Sequence, residues 1–487
     1  MGVIQTLGEY LNKYKNLLIN IGLFTLNTVS TKLITFLLVP LYTYFLTAAQ
    51  YGVTDMSLTV ANLITPVITL SIGDAVTRYV IDDSVNESII FLLVFGLQYS
   101  AVQLCLFLLP LLDFPVFGGL GKYKWFYWFY FISLAFNSYW ANVARGLNQI
   151  KLITSASIIS SLVSASSAGI LIGLWSWKVD GYFISLILGG VSAIAVYLMA
   201  GGSWRYVALP RKQDCHFLKM MLVYSLPLMP NAIFWWIGTS VNRFFITSIL
   251  GIGASGLFAA ASKIPNVLNM VWSTFQQAWS LSAFQEFRKI DTSKFYSNVF
   301  TVLRTFCFFA ASLLMLMTPW IASFLLQKKF YDSWPVIPIL ILAFLFQRIC
   351  LVFIGTVFTA SMRTKHLMVS TVVAAIVVVL LTWSLIHIIG LQGAAWAMVG
   401  SNLCMCVIRI IDARSIVDIT VAWPFALMNT LIVSIQSYVM ATRPFAYMLI
   451  SGICFIAVCV VSFLDIYPSI KVLKSVITRK NEFSDNR

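Results

Sequence analysis

The sequence predicts an all-α polytopic membrane protein, and three observations carry that prediction. The 487 residues are 60% hydrophobic and only 10% charged, with a mean hydropathy of +0.89; a soluble domain is about 45–50% apolar and roughly 25% charged. Apolar runs long enough to cross a bilayer, about 20 residues each, recur along the whole chain. Basic residues crowd alternate breaks between those runs and are sparse in the others, as loops on the two faces of a membrane require. Together these exclude a soluble enzyme, a secreted module and a disordered regulator. The 15% aromatic content suits belts of Trp and Tyr at the two membrane interfaces.

The first run, residues 17–46, is too long for a signal-peptide core of about 7–15 apolar residues and is read as a retained helix. Breaks at charges, Pro and Gly then place helices near 52–80, 88–111, 124–147, 150–175, 181–203, 217–250, 253–284, 296–319, 333–360, 366–388, 391–412, 419–440 and 445–466. The expected total is therefore about fourteen, and an even count puts both termini on one side. Pro40, Pro66, Pro227, Pro230 and Pro265 fall within spans, where each removes a backbone donor and can kink its helix.

Of the 32 Lys and Arg, about 22 fall in one alternating set of segments, from Lys13 and Lys15 through Arg145, Lys151, Arg211, Lys212, Arg304, Arg363 and Arg409 to Lys480 and Arg487. The opposite set holds Lys122, Lys124, Lys178, Lys328, Lys329 and Arg443. This asymmetry predicts cytoplasmic termini on both ends. The formal charge of +15 then reads as topogenic loop charge plus a basic interior, and no nucleic-acid partner is expected.

No inter-helix segment is long enough to form a catalytic domain outside the membrane, so the chain is expected not to be an enzyme. The longest polar interruption, Trp204 to His216, divides the spans into six and eight. Span two opens with Tyr51-Gly52 and span eight with Ser255-Gly256, a faint internal repeat. The expected organisation is an N-terminal six-helix bundle (1–205), a cytoplasmic linker (206–216), a second six-helix bundle (217–414), two appended helices (415–470) and a cytoplasmic tail (471–487). Paired bundles around a midplane site are a common transporter plan.

Four basic residues remain inside spans once the loops are assigned: Lys32, Arg243, Lys263 and Arg348. A basic side chain at a helix centre costs about 2.5–3.5 kcal/mol on insertion scales. One acid, Asp74, lies clearly within a span, while Asp55, Asp412 and Asp465 fall near helix ends. Structural pairing would give nearly equal numbers of acids and bases. Two readings of the excess stay open. One is snorkelling with helix-end carbonyl contacts, which fits Lys263 and Arg243 best. The other is a hydrated cavity for a phosphate-bearing substrate, in which Lys acts as a point charge and Arg as a bidentate donor.

Asn242, Gln347, Asn231, Gln276 and Gln277 place amides on the same spans, alongside Trp235, Trp236, Trp272 and Trp279. Amides and aromatic faces suit a sugar, although packing or interface anchoring also accounts for the Trp residues. Asp74 and Arg78 are spaced i, i+4 and are read as a local pair or as a gating or ion-coupling pair for H+ or Na+. The eight cysteines show no metal spacing and are read as reduced packing residues, and His216, His366 and His387 are isolated. No Gly-rich phosphate loop with a Lys is present, so no ATP-driven motor and no resident cofactor are expected.

The stretch from Asn20 to Tyr79, with Tyr51-Gly52, Gly73-Asp74 and Arg78-Tyr79, resembles the opening of Wzx-type O-antigen and polysaccharide flippases. These belong to the multidrug/oligosaccharidyl-lipid/polysaccharide (MOP) exporter superfamily, whose other members include the MATE transporters. Ser240-Val241-Asn242-Arg243 repeats a similar cue, but Asn242 stands where relatives often carry Asp, which leaves Arg243 without that partner. The resemblance implies a MATE-like fold of two six-helix bundles with helices thirteen and fourteen flanking a lipid tail. It also implies that an undecaprenyl-pyrophosphate-linked oligosaccharide, an O-antigen or related repeat unit, moves to the periplasmic leaflet of a bacterial inner membrane. A polysaccharide polymerase, a chain-length regulator and membrane lipid are the implied partners. The alternatives are a lipid II flippase and a cation-coupled multidrug exporter of the same superfamily.

Overall fold

The computed structural model describes residues 22, 26–73, 75–76, 96, 99, 102–103, 105–201, 214–268, 272, 275–276, 279, 283, 287, 292–361, 363–418 and 420–485. Among these the regular secondary structure is helical throughout, and nine helices are long and apolar enough to span a bilayer. Every span expected from the sequence coincides with described helical residues, including Val102 and Leu106 in the third. Large apolar side chains such as Phe107, Leu174 and Met199 stand 81%, 77% and 84% exposed. Water would not tolerate that surface, whereas lipid does. The chain is a multi-pass integral membrane protein.

The chain forms two compact units, residues 1–260 and 261–487. In the first, α1 (Leu26–Phe45) loosens at Leu38, two residues before Pro40. The helix α2 (Ala48–Ile68) starts four residues before the apolar pattern suggested. Thr47 caps it by accepting from the Gln50 N–H at 3.3 Å while Gln50 Oε1 accepts from the Thr47 N–H at 3.0 Å, a reciprocal capping box.

Pro66 lies in the last turn of α2, and Leu70 and Ser71 follow in the left-handed region at φ +51°. The second span is thus broken where the sequence predicted one helix over 52–80. Physically, Pro66 supplies no N–H, and Ser71 reaches back to its carbonyl at 3.0 Å in a widened turn.

Next come α3 (Lys124–Gly146), α4 (Ile150–Ala168) with a π-turn over Gly169–Leu174, and α5 (Lys178–Gly201). Tyr127, Phe131 and Phe183, none more than 1% exposed, centre the core that packs α3 and α5 against α2. The predicted span 217–250 is three pieces: α6 (Asp214–Ser225), α7 (Leu228–Ser240) and α8 (Asn242–Leu250). Pro227 ends the first piece, a turn at Val241 ends the second, and Gly251 at φ +88° ends the third. Then α9 (Ile252–Ser262) begins. The helices from 214 to 260, read from the sequence as the start of a second bundle, group with the first unit.

The second unit holds α10 (Thr292–Leu325), α11 (Val336–Arg348), a π-turn over Ile349–Ile354, α12 (Gly355–Ala360), α13 (Thr364–Ile389), α14 (Leu391–Ala413), α15 (Trp423–Thr442) and α16 (Tyr447–Asp485). Between apolar helices in lipid, small residues and interhelical hydrogen bonds supply specificity, and this unit uses both. Ser401 Oγ donates to the Ala374 carbonyl at 2.7 Å and Asn402 Nδ2 to the Ala343 carbonyl at 2.9 Å, pinning α14 to α13 and α11. Gln436 of α15 accepts from Ser312 Oγ at 2.6 Å and donates to Ser451 Oγ at 3.0 Å, joining α10, α15 and α16 through three fully buried side chains.

Candidate functional site

The four basic residues singled out in the sequence fall in both units. In the first, Lys32 is exposed on α1, and Asn242 and Arg243 are the first two residues of α8. Asn242 is buried. The turn at Val241 aims Arg243 at α2, where its Nε donates to Asp55 Oδ2 at 2.5 Å, with the two side chains 18% and 7% exposed. This corrects the expectation that Arg243 goes unpaired: the acid comes from another helix and not from the preceding residue.

The apolar pattern starts α2 at residue 52, which puts Asp55 near a helix end. The Thr47 capping box moves the start back, so Asp55 lies in the second turn and is 6% exposed. Tyr51 and Tyr182 lie within electrostatic reach of this carboxylate, and Tyr42 meets Tyr51 and Tyr182 at ring separations of 6.4 and 5.3 Å. One turn further along α2, Trp236 of α7 donates its indole N–H to the Thr59 carbonyl at 2.9 Å.

In the second unit, Lys263 is half-buried in the turn that follows α9, and Gln347 and Arg348 end α11. Gln347 is 6% exposed. Arg348 Nη2 lies 3.5 Å from Gln347 Oε1, the outer limit of a hydrogen bond, and the buried Nε of Arg348 has no hydrogen-bond partner among the described residues. Immediately after it the backbone widens into the π-turn of Ile349–Ile354, a distortion found frequently at functional sites. A guanidinium with an unused buried N–H beside an amide and a widened turn is equipped to receive an oxyanion. Asp74 and Arg78 lie outside the described residues.

Sequence reading missed three further buried charges. Arg304 and Arg409, assigned to cytoplasmic segments, are 3% and 2% exposed within α10 and α14. Arg304 Nη2 donates to Asp465 Oδ2 on α16 at 2.5 Å, while Thr305 Oγ1 sits 3.4 Å from the same oxygen. Arg409 donates to Ser370 Oγ at 2.9 Å and Thr371 Oγ1 at 3.0 Å. The helices run deeper than the apolar runs, since α10 begins at Thr292 and not at 296. The signal available in the sequence was Asp465 itself, which lies between Leu464 and Ile466 and so calls for a basic partner. Asp55 and Asp465 each neutralise one Arg, but Arg304 and Arg409 join the buried bases, so the excess the sequence suggested persists. Among the described residues, no group of three or more His, Cys, Asp or Glu gathers as a metal site.

The fold is shared with solved transporters. The lipid II flippase MurJ in an inward closed conformation superposes with a TM-score of 0.71 at 14% identity, covering 92% of this chain and 99% of that one. An inward-facing multidrug resistance MATE family transporter of the MOP superfamily gives 0.62 at 14% identity, over 80% of this chain and 94% of that one. An outward-facing MATE transporter of the same superfamily gives 0.56 at 15%, over 82% and 94%. No curated protein matches the sequence. A family described as polysaccharide biosynthesis protein matches residues 17–280, more than half of the 487 residues. The chain, built on the MOP-superfamily fold, is a member of that polysaccharide biosynthesis protein family.

Proposed function

We propose that this protein is a flippase that carries an undecaprenyl-pyrophosphate-linked oligosaccharide, an O-antigen or related repeat unit, from the cytoplasmic to the periplasmic leaflet of a bacterial inner membrane. The observation that carries the reading is Arg348, a basic residue in a membrane helix with a buried N–H that has no partner among the described residues, beside Gln347, in a chain of the polysaccharide biosynthesis family. Lipid exposes no reason to keep such a donor, whereas a pyrophosphate offers it several acceptor oxygens. Lys263, Gln347 and Arg348, all of the second unit, are the proposed headgroup contacts, with the amide serving a sugar hydroxyl. Coupling to H+ or Na+, partnership with a polymerase and a chain-length regulator, and cytoplasmic termini belong to the same proposal.

The test is surface polysaccharide and leaflet-resolved lipid-linked repeat unit in a deletion strain complemented with wild type or Arg348→Ala. Loss of polysaccharide with repeat units held on the inner leaflet is the expected result for both the deletion and Arg348→Ala. Normal polysaccharide in the deletion strain refutes the reading. The fold likeness to the lipid II flippase favours one second reading, transport of a peptidoglycan precursor. In that case the deletion halts wall synthesis and not surface polysaccharide. A cation exporter would instead change drug sensitivity alone.

A further inference from the structure

The end of the first unit where α2 begins and α8 finishes carries three contacts that no transport step has yet used. Gly52 of α2 faces α9 so closely that a Cβ there would overlap the Ile252 carbonyl oxygen. A Cβ on Gly256 would overlap the Ala48 carbonyl oxygen and come within 2.8 Å of the Gly52 nitrogen. The two glycines are the corresponding positions of the internal repeat, Tyr51-Gly52 and Ser255-Gly256, and they meet backbone to backbone. Over this crossing lies a strap, Leu109–Tyr123, built of three short 3₁₀ turns. Gly118 and Gly119, at φ +64° and +86°, fold it down. Phe117 then packs edge-on against Phe244 at 5.8 Å, and Gly118 sits directly on the Ile252 side chain. Three residues along α2 from Gly52 is the Asp55–Arg243 pair, and Ser57, two residues further on the same helix, is fully buried with its hydroxyl on the Thr54 carbonyl.

The three contacts differ in how they resist separation. A crossing of glycines has no interlocking side chains, so the helices can part without unpicking a core. The strap is held by the edge-on Phe117–Phe244 contact and the Ile252 side chain, apolar contacts that can be broken and remade without stranding a charge. The ion pair is different in kind: a buried pair adds little net stability compared with an apolar pair, yet each charge is strongly disfavoured if its partner leaves while it stays dry. Such a pair holds only two arrangements, joined and buried or parted and hydrated.

The geometry points to Asp55 as the gating acid of the transport cycle: joined to Arg243 it latches this end of the first unit shut under the Gly52–Gly256 crossing and the Phe117 strap, and its release accompanies opening. This inference rests on the transport reading for its purpose, but its primary test is independent of any substrate.

Ser57→Cys is introduced into a protein whose eight native cysteines are replaced, and labelling by a membrane-impermeant maleimide is followed in nanodiscs. With the latch intact, Cys at 57 reacts slowly. Asp55→Asn and Arg243→Gln are expected to speed labelling about tenfold, and the exchanged pair Asp55→Arg with Arg243→Asp to return it to within a few-fold of the parent. Unchanged labelling in both single variants, or an exchanged pair as fast as the singles, overturns the latch.

A second measurement leaves the ion pair untouched. Phe117→Cys with Phe244→Cys, bridged by a cleavable bifunctional thiol reagent, clips the strap in place. Labelling at 57 then stays slow, and polysaccharide export stops until the bridge is cleaved. Fast labelling with the bridge complete overturns the gate. Slow labelling with export insensitive to the bridge leaves the gate standing and sinks the polysaccharide reading instead.

Discussion

Arg304 and Asp465 offer the sharpest energetic test in the molecule. Their side chains are 3% and 1% exposed, so neither charge is screened, and the Nε and Nη1 of Arg304 and the Oδ1 of Asp465 have no hydrogen-bond partner among the described residues. Removing one member strands the other, which costs about 3–5 kcal/mol at buried sites. Replacing both with apolar groups of similar volume removes the attraction and the desolvation penalty together, and is commonly neutral or stabilising by about 1–4 kcal/mol.

Asp465→Ala and Arg304→Met are therefore each expected to lose about 3–5 kcal/mol, roughly a 10²- to 10⁴-fold shift in the unfolding equilibrium. The double variant Arg304→Met with Asp465→Leu should fall within about 1 kcal/mol of wild type or above it. Steric trapping of the purified protein in bicelles measures all three on one scale. Single variants within about 0.5 kcal/mol of wild type, or a double variant that loses the sum of the two, would refute the account of the pair as a dry, mutually dependent clamp between α10 and α16.

Four further outcomes follow from particular contacts. Arg348→Lys should retain part of the export that Arg348→Ala loses, because an ammonium keeps the charge but not the bidentate fork; the surface-polysaccharide assay checks this, and equal loss would show that the fork is what matters. Gln436→Leu leaves Ser312 and Ser451 without their shared partner, and should destabilise by about 1–2 kcal/mol, the range of hydrogen bonds between membrane helices; steric trapping reads it. Gly393→Ala places a Cβ against the backbone of Leu385, which cannot swing aside as a side chain would, so the variant should lower the temperature at which detergent-purified protein aggregates. Thr47→Ala dissolves the capping box and should cost about 1 kcal/mol, seen in the same aggregation assay as a smaller shift than that of Gly393→Ala.

The architecture was legible because hydrocarbon imposes one rule on every span: about 20 apolar residues with all backbone groups bonded internally. That rule located the spans, but it could not see polar residues that start or deepen a helix. Thr47 and Gln50 extend α2 backward by reciprocal bonding, and that shift alone carries Asp55 from a helix end into the protein interior. Pro227 was read as a kink and is a full break, whereas the turn at Val241 has no proline or glycine to announce it. Arg348 was legible as a buried cation because nothing within its own span compensates it. Arg243 was equally visible, but its partner lies 188 residues away in sequence, and only tertiary structure joins the two. Arg304 and Arg409 were misassigned for a simple reason: each lies within about three turns of a span end, where charge counting credits a basic residue to the loop.

The separation between Arg304 and Asp465 also sets a schedule for biosynthesis. The two are 161 residues apart, and Arg304 is made first. At about 5–20 residues per second, the ribosome needs roughly 8–32 s after translating Arg304 before Asp465 exists. Throughout that interval α10 carries an uncompensated cation, and only lipid phosphates, water or an insertion chaperone can accommodate it. Insertion of α10 is therefore provisional until α16 arrives, and a chain interrupted between Arg304 and Asp465 is left with a charge that its own fold does not neutralise.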